Sequence, residues 1–142
     1  AKQLAEFVVL YSPLQMAADM IENYDNNPAF EFITSCPVNW SKTVVPGAEI
    51  GEYVTIARKD RDSENWYLGS ITNADSRKLS LSLNFLDKGA TYQAKIFKDG
   101  KGADWKTNPY VLDIEEMAVN SDSVIELDLA TSGGTAIILT KE

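Results

Sequence analysis

The acidic residues are the first candidates for chemistry, because carboxylates both bind calcium and catalyse glycoside hydrolysis. Asp60, Asp62 and Glu64 stand at alternate positions, which is the spacing at the start of a calcium-binding loop. The sixth position of such a loop is Asn65 rather than glycine, and the twelfth is Ile71 rather than a bidentate acid. The pattern therefore favours a solvated hairpin turn over a metal site.

Two further acidic clusters do not fit a phosphate-binding or a catalytic site, each for a different reason. The stretch from Asp99 to Asp104 is rich in oxygen and glycine, but strands flank it and no helix follows, so it predicts a hairpin loop and not a phosphate loop. Glu115 and Glu116 are neighbours at the end of a predicted strand. Neighbouring strand residues point to opposite faces of the sheet. The two carboxylates therefore cannot face each other across a glycosidic bond.

The chain lacks the residues that nucleophilic catalysis and zinc binding usually require. The chain contains no histidine and a single cysteine, Cys36. This composition excludes triads of the Ser-His or Cys-His type, an internal disulfide and a cysteine-rich zinc site. We therefore predict no catalytic, cofactor-binding or metal-binding residue in this chain.

The aromatic residues offer the remaining candidate site, because flat rings suit the apolar faces of sugars. Most of them alternate with polar residues inside predicted strands, where core packing is the usual role of an aromatic. Trp105 is the best candidate for ligand contact, since it lies in a loop with Asp104 and Asn108. The other aromatics considered are Trp40, Tyr53, Trp66, Tyr67, Tyr92 and Tyr110.

Most of the chain reads as antiparallel β-structure. In residues 78–85, apolar and polar residues alternate, and turn signals recur about every ten residues from Lys59 onward. We predict a mainly β fold, an antiparallel β-sandwich of about seven to eight strands, over residues 38–142.

The first 37 residues follow a helical spacing instead, and we assign them to a separate helical segment. Residues 2–23 predict two helices or one kinked helix, with Ser12 as the cap of the second, and a further short helix begins after Asn27. Residues 7–11 are apolar on every side, which indicates a helix covered by a partner outside this chain.

Composition limits the partners. The chain has 142 residues, of which 13 are basic and 21 acidic, and its net charge is −8. Such a surface repels nucleic acid and anionic membranes, and the most apolar run is far shorter than the roughly 20 residues of a membrane span. No secretory signal segment is visible, and the chain reads as a piece of a longer protein.

Several stretches together resemble the C-terminal region of glycoside hydrolase family 97. Residues 4–19, 22–24 and 28–33 resemble the last helices of its catalytic barrel, and residues 51–58, 66–72 and 103–109 resemble its C-terminal β-sandwich. The most specific are the first of these stretches and Asp104-Trp105-Lys106-Thr107-Asn108-Pro109. The resemblance implies that the N-terminal helices are left from a (β/α)₈ barrel.

The same resemblance implies the nature of the parent enzyme. Family members are calcium-dependent, exo-acting α-glucosidases or α-galactosidases, typically periplasmic, and their catalytic acids and calcium-binding glutamates lie upstream of the region matched here. It also implies that the missing barrel of the parent chain is the partner of the helices. No residue of this chain corresponds to those catalytic or calcium motifs.

Three classes of function remain open. A non-catalytic structural domain of such a hydrolase is favoured, followed by a carbohydrate-binding module that uses exposed aromatics, and then by a self-contained enzyme. Separated from the barrel, the helices are expected to self-associate. The preference of the parent for gluco- or galacto-configured substrates, and whether it inverts or retains, depend on residues outside the chain.

Overall fold

The computed structural model describes residues 1–142, which form two α-helices, one 3₁₀ turn and eight strands. The helices are α1 (Lys2–Val9) and α2 (Phe30–Ser35), and the 3₁₀ turn is Ile21–Asn23. The strands are β1 (Trp40–Glu49), β2 (Tyr53–Asp60), β3 (Trp66–Thr72), β4 (Arg77–Ser82), β5 (Tyr92–Asp99), β6 (Leu112–Val119), β7 (Val124–Leu129) and β8 (Gly134–Lys141). Neither helix has the length and apolar composition that a bilayer crossing demands.

Two antiparallel sheets make up the body of the molecule. Six strands lie in the order β1-β2-β3-β8-β5-β6, and β4 pairs with β7 in a second, two-stranded sheet. Every strand pair is antiparallel. The predicted mainly β fold, an antiparallel sandwich of seven to eight strands preceded by short helices, is confirmed.

The main core lies between the two sheets. The alternation predicted for residues 78–85 holds: Leu81 and Leu83 are buried, and Leu79 and Phe85 pack against the same cluster. β7 shows the matching pattern, with every second side chain buried. These two strands therefore close one face of the larger sheet, as period-two sequences with one wet face should. The fully buried members of this core include Trp66, Leu68, Tyr92, Ala94, Ile96, Leu129, Ile137 and Leu139.

A second core lies on the opposite face of the six-stranded sheet, where α1 and α2 pack. The helices contribute Leu4, Ala5, Val8 and Phe32, and the sheet contributes Tyr67, Phe97, Ala136 and Ile138. The aromatic ring of Phe32 makes edge contacts with Tyr67 and Phe97, at centroid distances of 6.2 and 5.5 Å. The helices thus form a third layer. The division of the chain at residue 37 into a helical segment and a sandwich remains a prediction.

The helix predicted to begin at Ser12 does not form. α1 ends at Val9, and residues 10–20 have no regular secondary structure. The Ser12 hydroxyl donates to the carbonyl oxygen of Leu14 and accepts from its backbone N–H, which closes a local turn. Such a turn competes with helical hydrogen bonding. The short helix predicted after Asn27 is present as α2, and Asn27 accepts a hydrogen bond from the N–H of Ala29.

Candidate interaction face

Helix α1 lies unusually close to the sheet because two glycines make room for it. A Cβ atom added to Gly69 on β3 would overlap the carbonyl oxygen of Ala5 and approach the Val8 Cβ to 3.1 Å. A Cβ added to Gly134 on β8 would lie 2.9 Å from the Lys2 Cα. Real Cβ atoms do not tolerate such distances, so any larger residue would displace the helix. The two glycines form a seat that fixes the position of α1.

Hydrogen bonds hold both ends of α1 in this seat. At its C-terminal end, the Arg58 Nε donates to the otherwise unpartnered carbonyl oxygen of Val8 at 2.7 Å. At its N-terminal end, the Lys2 Nζ donates to the Thr72 carbonyl oxygen at 3.2 Å. The cost of burying part of the Arg58 guanidinium lowers its pKa. The helix is therefore fixed by polar contacts as well as by packing.

Helix α2 is joined to the same sheet by two further contacts. The Tyr67 hydroxyl donates to the Ser35 carbonyl oxygen at 2.8 Å, and burial raises the pKa of this phenol. The Lys95 Nζ lies 2.6 Å from the Glu31 carboxylate and 3.3 Å from that of Glu116. The hydrogen bond to Glu31 is the main reason that the pKa of Lys95 is raised.

Asp99 joins two parts of the fold beside the start of α1. Its Oδ2 accepts the backbone N–H groups of Ala130 and Gly134 at 3.0 and 2.8 Å, which ties the β7–β8 turn to the end of β5. The Asp99 side chain is only 9% exposed. One largely buried carboxylate thus links the end of β5 to the β7–β8 turn and to Gly134, on which α1 is seated.

Beyond α1, the chain presents a run of exposed apolar side chains that we call the apolar segment, residues 10–21. Its exposed members are Leu10, Tyr11, Leu14, Met16, Met20 and Ile21, each at least 59% exposed. The segment is held locally by the Gln15 side-chain amide, which donates to the carbonyl oxygens of Phe7 and Leu10. An exposed apolar surface of this kind is typical of a protein interface.

A cleft of about 570 Å³ opens beside the start of α1. It is lined by Ala1, Tyr24 and Phe30 and, from the β5–β6 loop, by Trp105 and Tyr110. The Tyr24 and Phe30 rings stack at 5.1 Å. Trp105 is 58% exposed and Tyr110 is 95% exposed, so both lie at the rim of the cleft.

The β5–β6 loop is held rigid by its own polar residues. The Asp104 Oδ1 accepts the backbone N–H groups of Lys106 and Thr107 and the Thr107 hydroxyl, at 3.0, 2.8 and 2.9 Å. These bonds, the Thr107 N–H first, lower the pKa of Asp104. Backbone hydrogen bonds also join Asp104 and Asn108 in both directions, and the Asn108 side chain donates to the Gly102 carbonyl oxygen. The loop thus presents Trp105 in a fixed place.

The alternating acids at residues 60–64 form the hairpin turn that the sequence predicts. The Asp60 carboxylate accepts the Asp62 N–H and the Ser63 hydroxyl. The Glu64 carboxylate lies 2.7 Å from the Lys59 Nζ, and that hydrogen bond lowers the pKa of Glu64. No group of three or more acidic or cysteine side chains is arranged to hold a metal ion. The Asp60 and Glu64 carboxylates are thus engaged within the protein, each by groups of its own turn.

The sequence predicted that Glu115 and Glu116 stand at the end of a strand. Instead they lie within β6, because that strand continues to Val119. They point to opposite faces, as predicted. The Glu115 carboxylate lies 2.6 Å from Lys98, and that of Glu116 lies 3.3 Å from Lys95. Each acid thus has its own cross-strand lysine partner, and the pair cannot act on one bond.

The other candidate residues are structural. Trp66, Tyr67 and Tyr92 are buried in the two cores, and Trp40 packs edge-on against Tyr67 at 5.8 Å. Tyr53 lies at the start of β2, 5.7 Å from the Arg77 guanidinium. Burial raises the pKa of the Cys36 thiol to about 12, so the sulfur stays protonated and unreactive near neutral pH.

The sequence analysis did not predict the seat of α1, although one residue indicates a close approach to the sheet. Gly69 interrupts an otherwise buried apolar strand, and an isolated glycine in such a strand often marks a close approach of backbone. Asp99 gave no comparable signal. Its role depends on Ala130 and Gly134, which are distant in sequence and meet it only in the fold.

The fold and this face define a helix-capped antiparallel β-sandwich with an exposed apolar surface beside its helical layer. Residues 39–140 match the family described as "Glycosyl-hydrolase 97 C-terminal, oligomerisation", and the chain belongs to this family. It matches the C-terminal part of glycoside hydrolases, as the resemblance of residues 4–19, 22–24, 28–33, 51–58, 66–72 and 103–109 implied.

Similar proteins support the same family assignment. The chain is 35% identical over 138 residues to a retaining alpha-galactosidase of Bacteroides thetaiotaomicron, a match that covers 96% of this chain and 20% of the relative. The structure is similar to a glycoside hydrolase family 97 enzyme from Pseudoalteromonas sp. strain K8, solved in complex with panose. That match has a TM-score of 0.96 and 46% identity, and covers 100% of this chain and 22% of the other.

A more distant match is a beta-arabinopyranosidase, with a TM-score of 0.76 and 26% identity over 96% of this chain and 20% of the other. In all three comparisons, the chain spans about a fifth of the length of its relative. The region described here is therefore small compared with the enzymes that it resembles.

Proposed function

We propose that this chain is the oligomerising C-terminal domain of an exo-acting α-glycosidase, and that it supports the catalytic barrel of its parent without taking part in the chemistry. The observation that carries the proposal is the apolar segment. Six large apolar side chains lie exposed directly after a helix that is fixed tightly to the sandwich. A rigid seat beside an uncovered apolar surface suits a domain that associates with a second copy through that surface.

The parent enzyme that we propose acts on α-glucosides or α-galactosides in the periplasm and binds calcium in its barrel. Support comes from the alpha-galactosidase relative and from the family 97 enzyme solved with panose. The acids of this chain do not fit a calcium site, because Asp60 and Glu64 already bind groups of the protein. Calcium, in this proposal, is held by residues outside the chain.

The carbohydrate-binding alternative gains nothing from the geometry. Trp105 is exposed, but the polar groups beside it, those of Asp104 and Asn108, already bind within the loop. A sugar site needs free polar groups that fix the orientation of the ring. We therefore favour the non-catalytic domain over the carbohydrate-binding module.

Hydrolysis assays test the non-catalytic role. We expect the 142-residue chain to release no nitrophenol from nitrophenyl α-glucoside or α-galactoside, with or without calcium, because it has no facing carboxylate pair. The full-length parent is the positive control under the same conditions. Turnover that exceeds a no-protein blank and survives a second purification would contradict the proposal.

A further inference from the structure

The β5–β6 loop, residues 100–111, carries the exposed aromatic side chains of the sandwich. Trp105 and Tyr110 lie open to solvent, whereas every other aromatic residue after residue 38 is buried or half-buried. Tryptophan and tyrosine are enriched among the residues that dominate the binding energy of protein interfaces. The loop therefore has the composition of an interface rather than that of a solvated turn.

The loop is also fixed before any partner arrives. The Asp104 carboxylate accepts the backbone N–H groups of Lys106 and Thr107, which ties the residues on either side of Trp105 together. The Lys106 Nζ lies 5.6 Å from the centre of the Trp105 ring. A prearranged surface loses little conformational entropy on binding. The loop thus presents aromatic rings and positive charge in one fixed arrangement.

The apolar segment carries the opposite charge. Residues 3–41 contain no lysine or arginine, and three exposed acids, Asp19, Glu22 and Asp25, stand at the end of the segment. The loop has two exposed lysines, Lys101 and Lys106. None of these five side chains forms a salt bridge within the chain. Such complementary charges are free to pair between two molecules and would guide their association.

The apolar segment and the loop are neighbours in the fold. Tyr24, which follows the segment, lines the same cleft as Trp105 and Tyr110. The large apolar side chains of the segment nevertheless remain exposed, so it does not pack onto the loop of its own copy. When two complementary surfaces lie side by side, a two-fold axis between them forms each contact twice and closes the assembly at two copies.

The family match favours a second copy as the occupant of this surface. The matched residues, 39–140, belong to a family described by its oligomerisation, and they include the β5–β6 loop but not the apolar segment. An interface that serves this family therefore needs a surface on the sandwich. The loop supplies that surface, because it holds the exposed aromatic residues of the matched region.

We propose that two copies form a symmetric dimer in which the apolar segment of each packs against Trp105 and Tyr110 of the other, with the loop lysines facing the acidic end of the segment. The inference rests on the proposed function and names the surface that receives the apolar segment. Met16 and Met20 suit this contact, since flexible thioethers adapt to aromatic rings. Formed twice, the contact supplies the apolar centre of an interface of roughly 800 Å² per partner.

Sedimentation equilibrium of the 142-residue chain tests the role of the loop. Trp105→Ala should raise the dimer dissociation constant about tenfold or more, because the ring is lost from both contacts. Ile50→Ala is the matched control, since Ile50 is fully exposed in the turn between β1 and β2. It should leave the constant unchanged. A dissociation constant for Trp105→Ala equal to that of the wild-type protein would overturn the proposal.

Mixing two variants tests whether the contact is reciprocal. The first is Trp105→Ala, and the second, the segment variant, combines Leu14→Ser with Met20→Ser. Each variant alone lacks both contacts, but a mixed dimer regains one, between the intact segment of the first and the intact loop of the second. Heterodimers should therefore form with a lower dissociation constant than either homodimer. A mixture that associates no better than the separate variants would overturn the proposal, and an unfolded variant could not give the recovery.

The loop lysines give a second readout. Lys101→Glu together with Lys106→Glu should raise the dissociation constant severalfold, because two acidic surfaces would then meet. Adding Glu22→Lys and Asp25→Lys should recover most of the loss. Asp122→Lys and Glu126→Lys restore the same net charge on exposed positions elsewhere and should not. Equal recovery by both pairs would contradict the proposed pairing of charges.

The variants also separate this inference from the proposed function. Loss of association in the segment variant, together with wild-type association of Trp105→Ala, would leave the proposed function intact and overturn the loop contact. A wild-type chain that stays monomeric, or a segment variant that associates as the wild type does, would contradict both.

Discussion

Gly69 on β3 lies directly beneath the carbonyl group of Ala5 on α1, with no space for a side chain between the strand and the helix. This relationship couples the helical layer to the sandwich more rigidly than apolar burial alone. Because α1 is followed at once by the apolar segment, the same contact also sets where that surface lies.

Gly69→Ala should therefore destabilise the chain by about 1–3 kcal/mol, the usual cost of inserting a methyl group into a close-packed site. Gly47→Ala is the matched control. It also lies in a strand, but its added Cβ would have its nearest neighbours at 3.5 Å, an ordinary contact. Urea unfolding of both variants measures the difference, and equal stabilities would show that α1 is not seated as described.

A chain of residues 38–142 should remain folded. The main core between the sheets includes Leu81, Ile96, Leu127 and Ile137 and has no member before Val44, so it is complete without the helices. Removal of α1 and α2 would expose Phe97 and its neighbours in the second core, so this shorter chain should be less stable and bind a hydrophobic dye. Circular dichroism and amide-exchange NMR give the test, and an unfolded spectrum would place the helices within the folding unit.

The β-sandwich followed from the sequence because its strands obey a local rule. Leu81 and Leu83 alternate with Ser80 and Ser82, and such alternation needs no knowledge of distant contacts. The helix predicted from Ser12 was wrong, because its capping residues fit a turn equally well and nothing in the chain covers residues 14–20. The role of Asp99 could not be predicted from the sequence, since its hydrogen-bond partners are more than 30 residues away along the chain.

Calcium should leave the melting temperature of the chain nearly unchanged, because a ligand stabilises a protein only by binding its folded state. Two of the three acids with calcium-like spacing, Asp60 and Glu64, are engaged by Ser63, Lys59 and Lys141. Differential scanning calorimetry with millimolar calcium, and with magnesium as the control, measures the effect. A rise of several degrees with calcium alone would point to Asp60, Asp62 and Glu64, whose amide variants would then abolish it.

Acidification should weaken the fold at the end of β8. The hydrogen bonds that Lys141 and Tyr92 donate to Asp87 lower the pKa of this carboxyl below its ordinary value of 3.8. A depressed folded-state pKa gives stability that is present above the unfolded value and is lost as the pH falls through the folded value. We therefore expect a loss of stability below about pH 4.

Asp87→Asn tests this assignment, because the amide cannot titrate. The variant should flatten the acid limb of a plot of unfolding free energy against pH. Asp122→Asn, which removes an exposed carboxylate in the β6–β7 turn, is the control and should leave the limb unchanged. A limb of the same slope in the wild-type protein and in Asp87→Asn would show that Asp87 carries none of the effect.

Light scattering of the 142-residue chain over a wide concentration range tests the central claim most directly. If this domain associates through the apolar segment, the weight-average mass should rise from that of a monomer of 15.7 kDa toward that of a dimer, and the chain should bind a hydrophobic dye. Replacing the exposed Leu14 and Met20 with serine should shift the rise to higher concentration. A constant monomer mass at every concentration, without dye binding, would contradict the account.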